Sequence, residues 1–130
     1  MRAREIGKLP VELDSVACDA RLFHGLSSSF VTCDWHGDAF DLPPGAVSLL
    51  RQEVTLCRAF RYGTNLYGLL FHLEKRPKMA AACLSAFESR IRQAGVDPAQ
   101  CDAETERHVV KLVSVAETIF RRWTELVVAR

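Results

Sequence analysis

The sequence predicts an α+β chain: a small antiparallel β-barrel over residues 1–76, then a helical segment over 77–130 whose second helix is long and heptad-patterned. Three observations predict it. Composition changes at Pro77, with six of the seven glycines and three of the five prolines before it and an Ala-, Glu- and Arg-rich stretch after it. Short runs of alternating apolar and polar residues, separated by turn chemistry, fill the first part. From Pro98 onward nothing breaks a helix until the C-terminus.

In chain order, Val16, Cys18, Ala20 and Leu22 alternate with Ala17, Asp19, Arg21 and Phe23 as a half-buried strand would. Gly25-Leu26-Ser27-Ser28-Ser29 reads as a turn or bulge, and Val31, Cys33 and Trp35 as the next strand. Trp35 to Ala39 reads as a hairpin turn, with Phe40 and Leu42 on the return strand, which Pro43-Pro44-Gly45 ends because adjacent prolines cannot donate to a ladder. Val54, Leu56, Arg58 and Phe60 make a further alternating run, and Tyr62-Gly63-Thr64-Asn65 turns it into a partner strand from Leu66 to Leu73. Closing such a sheet removes its exposed edges.

Pro77 suits the first position of a helix over about 77–94, with Met79, Ala82, Cys83, Ala86, Phe87 and Ile91 as its apolar stripe and Gly95 as its C′ residue. Asp97, followed by Pro98 and by Gln100 three residues on, is a capping-box start for a helix over about 98–129. With Val109, Ala116 and Trp123 at a, the d positions are Leu112, Ile119 and Leu126 and the e positions Val113, Phe120 and Val127, all nine apolar. Three apolar positions per heptad fit a helix with several neighbours better than a two-stranded coiled coil. Such a helix runs ~48 Å, against a diameter of roughly 30 Å for a body of the first 75 residues. The stripe therefore predicts self-association, with a tetramer preferred over a dimer.

Seventeen basic and sixteen acidic residues leave a net charge of +1, so no overall field draws the chain to nucleic acid or membrane. No apolar stretch approaches the ~18 residues a bilayer crossing needs, and no signal-peptide core follows the N-terminus. Five cysteines, an odd number without paired short spacing, fit thiols in a reducing cytoplasm. No zinc spacing, nucleophile elbow or phosphate-binding loop occurs, so no metal, cofactor or enzymatic activity is expected. Cys33 and His36 are explained by a core strand and a turn, and His24, His72 and His108 read as ordinary surface or partly buried histidines. Phe60, Tyr62 and Tyr67 beside Arg58 and Arg61 could stack bases, but the near-zero net charge makes packing within the barrel hairpin the better account.

Arg4-Glu5-Ile6-Gly7-Lys8, followed by Leu9-Pro10-Val11-Glu12-Leu13, resembles the N-terminal switch and first strand of PilZ domains. Gly25 to Phe30 falls where that family carries its second motif, and Val54 to Leu73 resembles its closing hairpin. The resemblance implies a six-stranded barrel and a place in bacterial cyclic di-GMP signalling. It implies Arg2, Arg4, Lys8 and Ser27 as ligand-binding residues. The motifs depart from the family: Lys8 replaces an arginine fork, Gly25 replaces an Asp or Asn, and Phe30 replaces a glycine. The expected role is thus a non-enzymatic, oligomeric adaptor for motility, pili or virulence, contacting a signalling protein and binding nucleotide weakly or not at all. The alternatives are a genuine cyclic di-GMP receptor, a small nucleic-acid-binding barrel and a scaffold subunit whose Phe120 and Trp123 face another protein.

Overall fold

A computed structural model describes residues 5–15, 21–36, 38–52 and 57–129. Five strands lie among them: β1 (Glu5–Leu13), β2 (Ser29–His36), β3 (Val47–Arg51), β4 (Ala59–Tyr62) and β5 (Leu66–Leu69). All neighbours are antiparallel in the order β2-β1-β3-β4-β5, which makes a half-barrel sheet. Three helices follow: α1 (Pro77–Ala86), α2 (Glu88–Gln93) and α3 (Pro98–Val128).

β1 is long because it serves two neighbours. Glu5 to Glu12 lie along β2, and only Glu12 and Leu13 reach β3. Pro10, opposite Val31, sits in the stretch that pairs with β2 alone, where its missing N–H interrupts no second ladder. β4 and β5 form a hairpin through Gly63, whose positive φ of 61° suits the turn. Gly68 is needed for a different reason. A Cβ there would lie 2.3 Å from the ring of Phe60, its cross-strand partner, and that ring is itself packed edge-on to Phe40.

α3 starts as its sequence dictates, with Pro98 in the first turn and the Asp97 carboxylate accepting from the Ala99 N–H at 3.1 Å. Before it, Gly95 at φ 78° lets Val96 N–H close back on the Ile91 carbonyl. Leu112, Val115, Ala116 and Ile119 press into the sheet against Val11, Phe30, Leu50 and Phe71. The first turns of α3 are covered instead by α1 and α2, where Leu84, Ile91 and Cys101 form a second cluster with Trp35 and Val96. No helix among the described residues is long and apolar enough to cross a membrane.

The architecture corrects the expected six-stranded barrel with two helices. Among the described residues the sheet has five strands, the segment after β5 meets β2 in a single bridge at Cys33 and His72, and α3 packs on its buried face. Of the strand expected at Val16–Leu22, residues 16–20 lie outside the described ones, while Leu22 and Phe23 are buried in a turn. Val54 and Leu56 also lie outside them. Phe40 and Leu42 form no return strand: β2 pairs with β1, and β3 forms at Val47–Arg51, just after the prolines that were expected to end a strand. The helix expected over 77–94 is two helices, broken at Phe87 (φ −117°), whose ring packs on Trp35 at 5.6 Å between centroids.

The α3 stripe is divided. Val109, Leu112, Ala116 and Ile119 are buried within the chain, Val113 and Leu126 are half-buried, and Phe120, Trp123 and Val127 remain 46, 46 and 44% exposed. Most of the stripe therefore already has neighbours in its own chain, and only the last turns leave apolar surface uncovered. Leu112→Ala is expected to cost about 2–5 kcal/mol in urea unfolding. Val127→Ala should stay within about 0.5 kcal/mol of the parent.

Candidate active site

Between β5 and α1 the chain bends at Leu70, Phe71, Leu73 and Glu74, and burial alternates strictly along it. Phe71, Leu73 and Lys75 point inward and are buried, whereas His72, Glu74 and Arg76 point outward. Two main-chain bonds hang this segment on the sheet: Leu70 N–H donates to the Arg58 carbonyl at 2.9 Å, and His72 N–H donates to the Cys33 carbonyl at 2.9 Å. Phe71 meets Phe30 edge-on at 6.3 Å. Lys75, only 8% exposed, holds its ammonium 5.0 Å from the centre of the Trp35 ring. Arg76 donates to Glu117 of α3 at 3.2 Å, and Pro77 then opens α1.

His72 and Glu74 both lie on the outer side of this segment, and the imidazole Nδ1 lies 2.6 Å from Glu74 Oε1. Burial alone pushes the Glu74 carboxyl up. Bonds from its own backbone N–H and from His72, with the charges of His72 and Lys75, outweigh that and hold it below the usual carboxylate value. An ionised carboxylate only accepts, so His72 carries its proton on Nδ1 and turns the Nε2 lone pair outward. A histidine oriented this way can take a proton at Nε2 and return it, with the carboxylate stabilising the imidazolium.

Behind this pair is a buried polar group. The carboxylate of Asp34 and the guanidinium of Arg58, both fully buried, form an ion pair. Thr32 Oγ1 donates to Asp34 Oδ2 at 2.7 Å, and His36 Nε2 lies 3.1 Å from Arg58 Nη1 and 3.3 Å from Asp34 Oδ1. The His36 Nε2 thus lies between a donor, the Arg58 guanidinium, and an acceptor, the Asp34 carboxylate.

The partner of the His72 ring is a carboxylate, so the pair comprises a base and the group that orients it, without a nucleophile. Cys33 faces His72 across their main-chain bridge, but its thiol is buried and lines a small void with Cys83 of α1 and Cys101 of α3. Nor is there, among the described residues, a group of three or more His, Cys, Asp or Glu that could hold a metal ion.

The structure superposes on solved glutamine amidotransferases. One from Thermotoga maritima matches with a TM-score of 0.84 at 27% identity, over 95% of this chain and 52% of its own. Another, from Methylobacillus flagellatus, gives 0.81 at 24% identity, over 95% and 53%. The fold is that of glutamine amidotransferases. A GMP synthase component from Thermoplasma acidophilum matches less of it, with a TM-score of 0.51 at 21% identity over 68% and 49%. The chain spans about half the length of these structures. No family model and no curated protein matches the sequence itself.

The glutamine amidotransferase fold overturns the PilZ resemblance, and with it the cyclic di-GMP adaptor, its receptor and nucleic-acid alternatives, and the expectation of no enzyme. Runs of short strands joined by glycine turns are common to small antiparallel sheets and do not single out one family. Of the residues that resemblance assigned to a ligand, Arg2 and Arg4 lie outside the described residues. Lys8 is in β1 opposite Cys33, and Ser27 is exposed just before β2. Cys33, the partner of Lys8, is six residues along the chain from Ser27, four of them within β2.

His72 reads from sequence as an ordinary histidine, and Glu74 belongs to no motif. The available signal is His-x-Glu directly after the apolar run Leu69-Leu70-Phe71. The depressed carboxyl has a consequence with a definite sign. Its ionisation adds stability above the unfolded-state value and stops doing so as pH falls through the lower folded-state value. Carbon-13 titration should place Glu74 below a random-coil glutamate, and the nitrogen-15 spectrum of His72 at neutral pH should show one tautomer, Nδ1–H. Glu74→Gln should remove that tautomer preference.

Proposed function

We propose that this chain supplies the acid–base half of a glutamine-hydrolysing site. The observation that carries this is the His72–Glu74 pair, held at 2.6 Å on a chain whose fold is shared with glutamine amidotransferases. In this reading His72 Nε2 accepts the proton of an attacking hydroxyl or thiol as it adds to the carboxamide carbon of glutamine. The resulting imidazolium, stabilised by Glu74, passes that proton to the amide nitrogen. The C–N bond breaks and ammonia leaves. Water, deprotonated by the same nitrogen, then cleaves the acyl intermediate to glutamate and frees the nucleophile.

The attacking group comes from outside the described residues, which accords with a chain that spans about half of its structural neighbours. The free thiols of Cys33, Cys57 and Cys83 accord with a cytoplasmic setting. The test is glutamine-dependent ammonia release by the protein that carries this chain. His72→Asn is expected to lower kcat by about 10²–10⁴-fold, the range for a general acid–base group. Glu74→Gln should lower kcat with KM for glutamine nearly unchanged, because Glu74 orients the base and does not hold substrate. Parental turnover in His72→Asn would overturn the proposal.

A further inference from the structure

We infer that Arg58 is the positioning residue for His72, acting through the buried ion pair with Asp34; the inference rests on the acid–base role proposed above. Three elements meet on this one residue. Its N–H donates to the Leu50 carbonyl of β3 at 2.8 Å, and its carbonyl accepts from Leu70 at 2.9 Å. Its guanidinium holds Asp34 and, at 3.1 Å, His36 of β2. His72 in turn hangs from Cys33, the residue before Asp34. The connections close into a ring: Arg58 main chain, Leu70, Phe71, His72, Cys33, Asp34, Arg58 side chain. Every link is a covalent bond, a hydrogen bond or an ion pair, so His72 cannot shift along β2 without breaking one of them.

The ion pair itself does not account for its own burial by stability. Both partners are fully buried, and removing two charges from water takes back most of what their attraction supplies. What a planar fork provides that apolar packing lacks is direction: it binds a carboxylate and a second acceptor in one plane. Here that plane sets β2 against the start of β4, and β2 carries the carbonyl that holds His72. Thr32 on Asp34 Oδ2 fixes the far side of the carboxylate.

Arg58→Lys tests this, since an ammonium keeps the charge and the main-chain bonds but cannot bridge Asp34 and His36. The nitrogen-15 spectrum of His72 in the 130-residue chain is expected to change from one tautomer to a mixture. In the protein that carries this chain, kcat for glutamine hydrolysis should fall by up to about 10²-fold, the cost of a small misplacement, with KM little altered. The double variant Asp34→Asn with Arg58→Gln, which restores a neutral hydrogen-bonded bridge, should recover the single tautomer. Ile91→Val, which loosens the cluster under α2, should leave the tautomer unchanged and so separates positioning from general destabilisation. A single His72 tautomer and parental kcat in Arg58→Lys would overturn the inference, as would a double variant that recovers nothing. Failure of the acid–base reading looks different: there Glu74→Gln leaves the His72 spectrum unaltered, or His72→Asn retains turnover, whatever Arg58→Lys does.

Discussion

The strict alternation from Phe71 to Arg76 is the constraint on which the rest of the site depends. Burying Phe71 and Leu73 contributes roughly 1.5–3 kcal/mol each, whereas an exposed ion pair such as His72–Glu74 contributes about 0–1 kcal/mol. The apolar residues therefore hold the polar pair in place, not the reverse. A slip of one residue would turn His72 and Glu74 into the core and Phe71 and Leu73 into water. The exchange would cost far more than the pair returns. The geometry of the two polar side chains is thus inherited from residues that take no part in the chemistry.

α3 performs the same service on a larger scale. Its first turns rest on α1 and α2 and its middle rests on the sheet, so a helix longer than either layer is covered by two layers in succession. A ~48 Å helix outruns a roughly 30 Å body only if the sheet is its sole cover. With α1 and α2 folded back beside the first turns, the mismatch largely disappears. Arg122 adds a polar tie near the end of the covered part, donating to the Leu22 and His24 carbonyls at 3.0 and 2.7 Å. Beyond it Trp123, Val127 and Val128 are exposed, and Leu126 is half-buried.

How much of this was legible in the sequence follows from the range of the forces involved. The start of α3 was legible, because Asp97 and Pro98 act within one turn, and so was the stop at Gly95. The β4–β5 hairpin was legible in its turn at Gly63. The break at Phe87 was not, because it comes from a ring packing on Trp35, far away in the chain. Sheet order was not legible either. β1 pairs with β2 and β3 at once, and residues 38–46 run between strands without joining a ladder, although their sequence offers turn chemistry. The candidate site was hardest to see. Two residues spaced i, i+2 carry no meaning until the alternating burial around them is known, and a match on turns and strand lengths drew attention to Arg2, Arg4, Lys8 and Ser27 instead. Three altered positions in that motif, Lys8, Gly25 and Phe30, were the physical sign that the match was shallow.

β2 joins the two kinds of interior. Cys33, Asp34 and Trp35 line the void shared with α1 and α3, while Asp34 and His36 also meet the guanidinium of Arg58 and Thr32 donates to Asp34. Alternation along a strand sends neighbouring side chains to opposite faces, so one strand can pack against helices on one side and carry a polar cluster on the other. Apolar contact is nondirectional and tolerates sliding. A buried fork bound to a carboxylate does not, because any slide leaves a charge unpaired in a medium that cannot screen it. The helices therefore determine how tightly β2 is held, and Asp34 with Arg58 determines where along its length. A base whose Nε2 must meet a reacting proton at hydrogen-bond distance requires both.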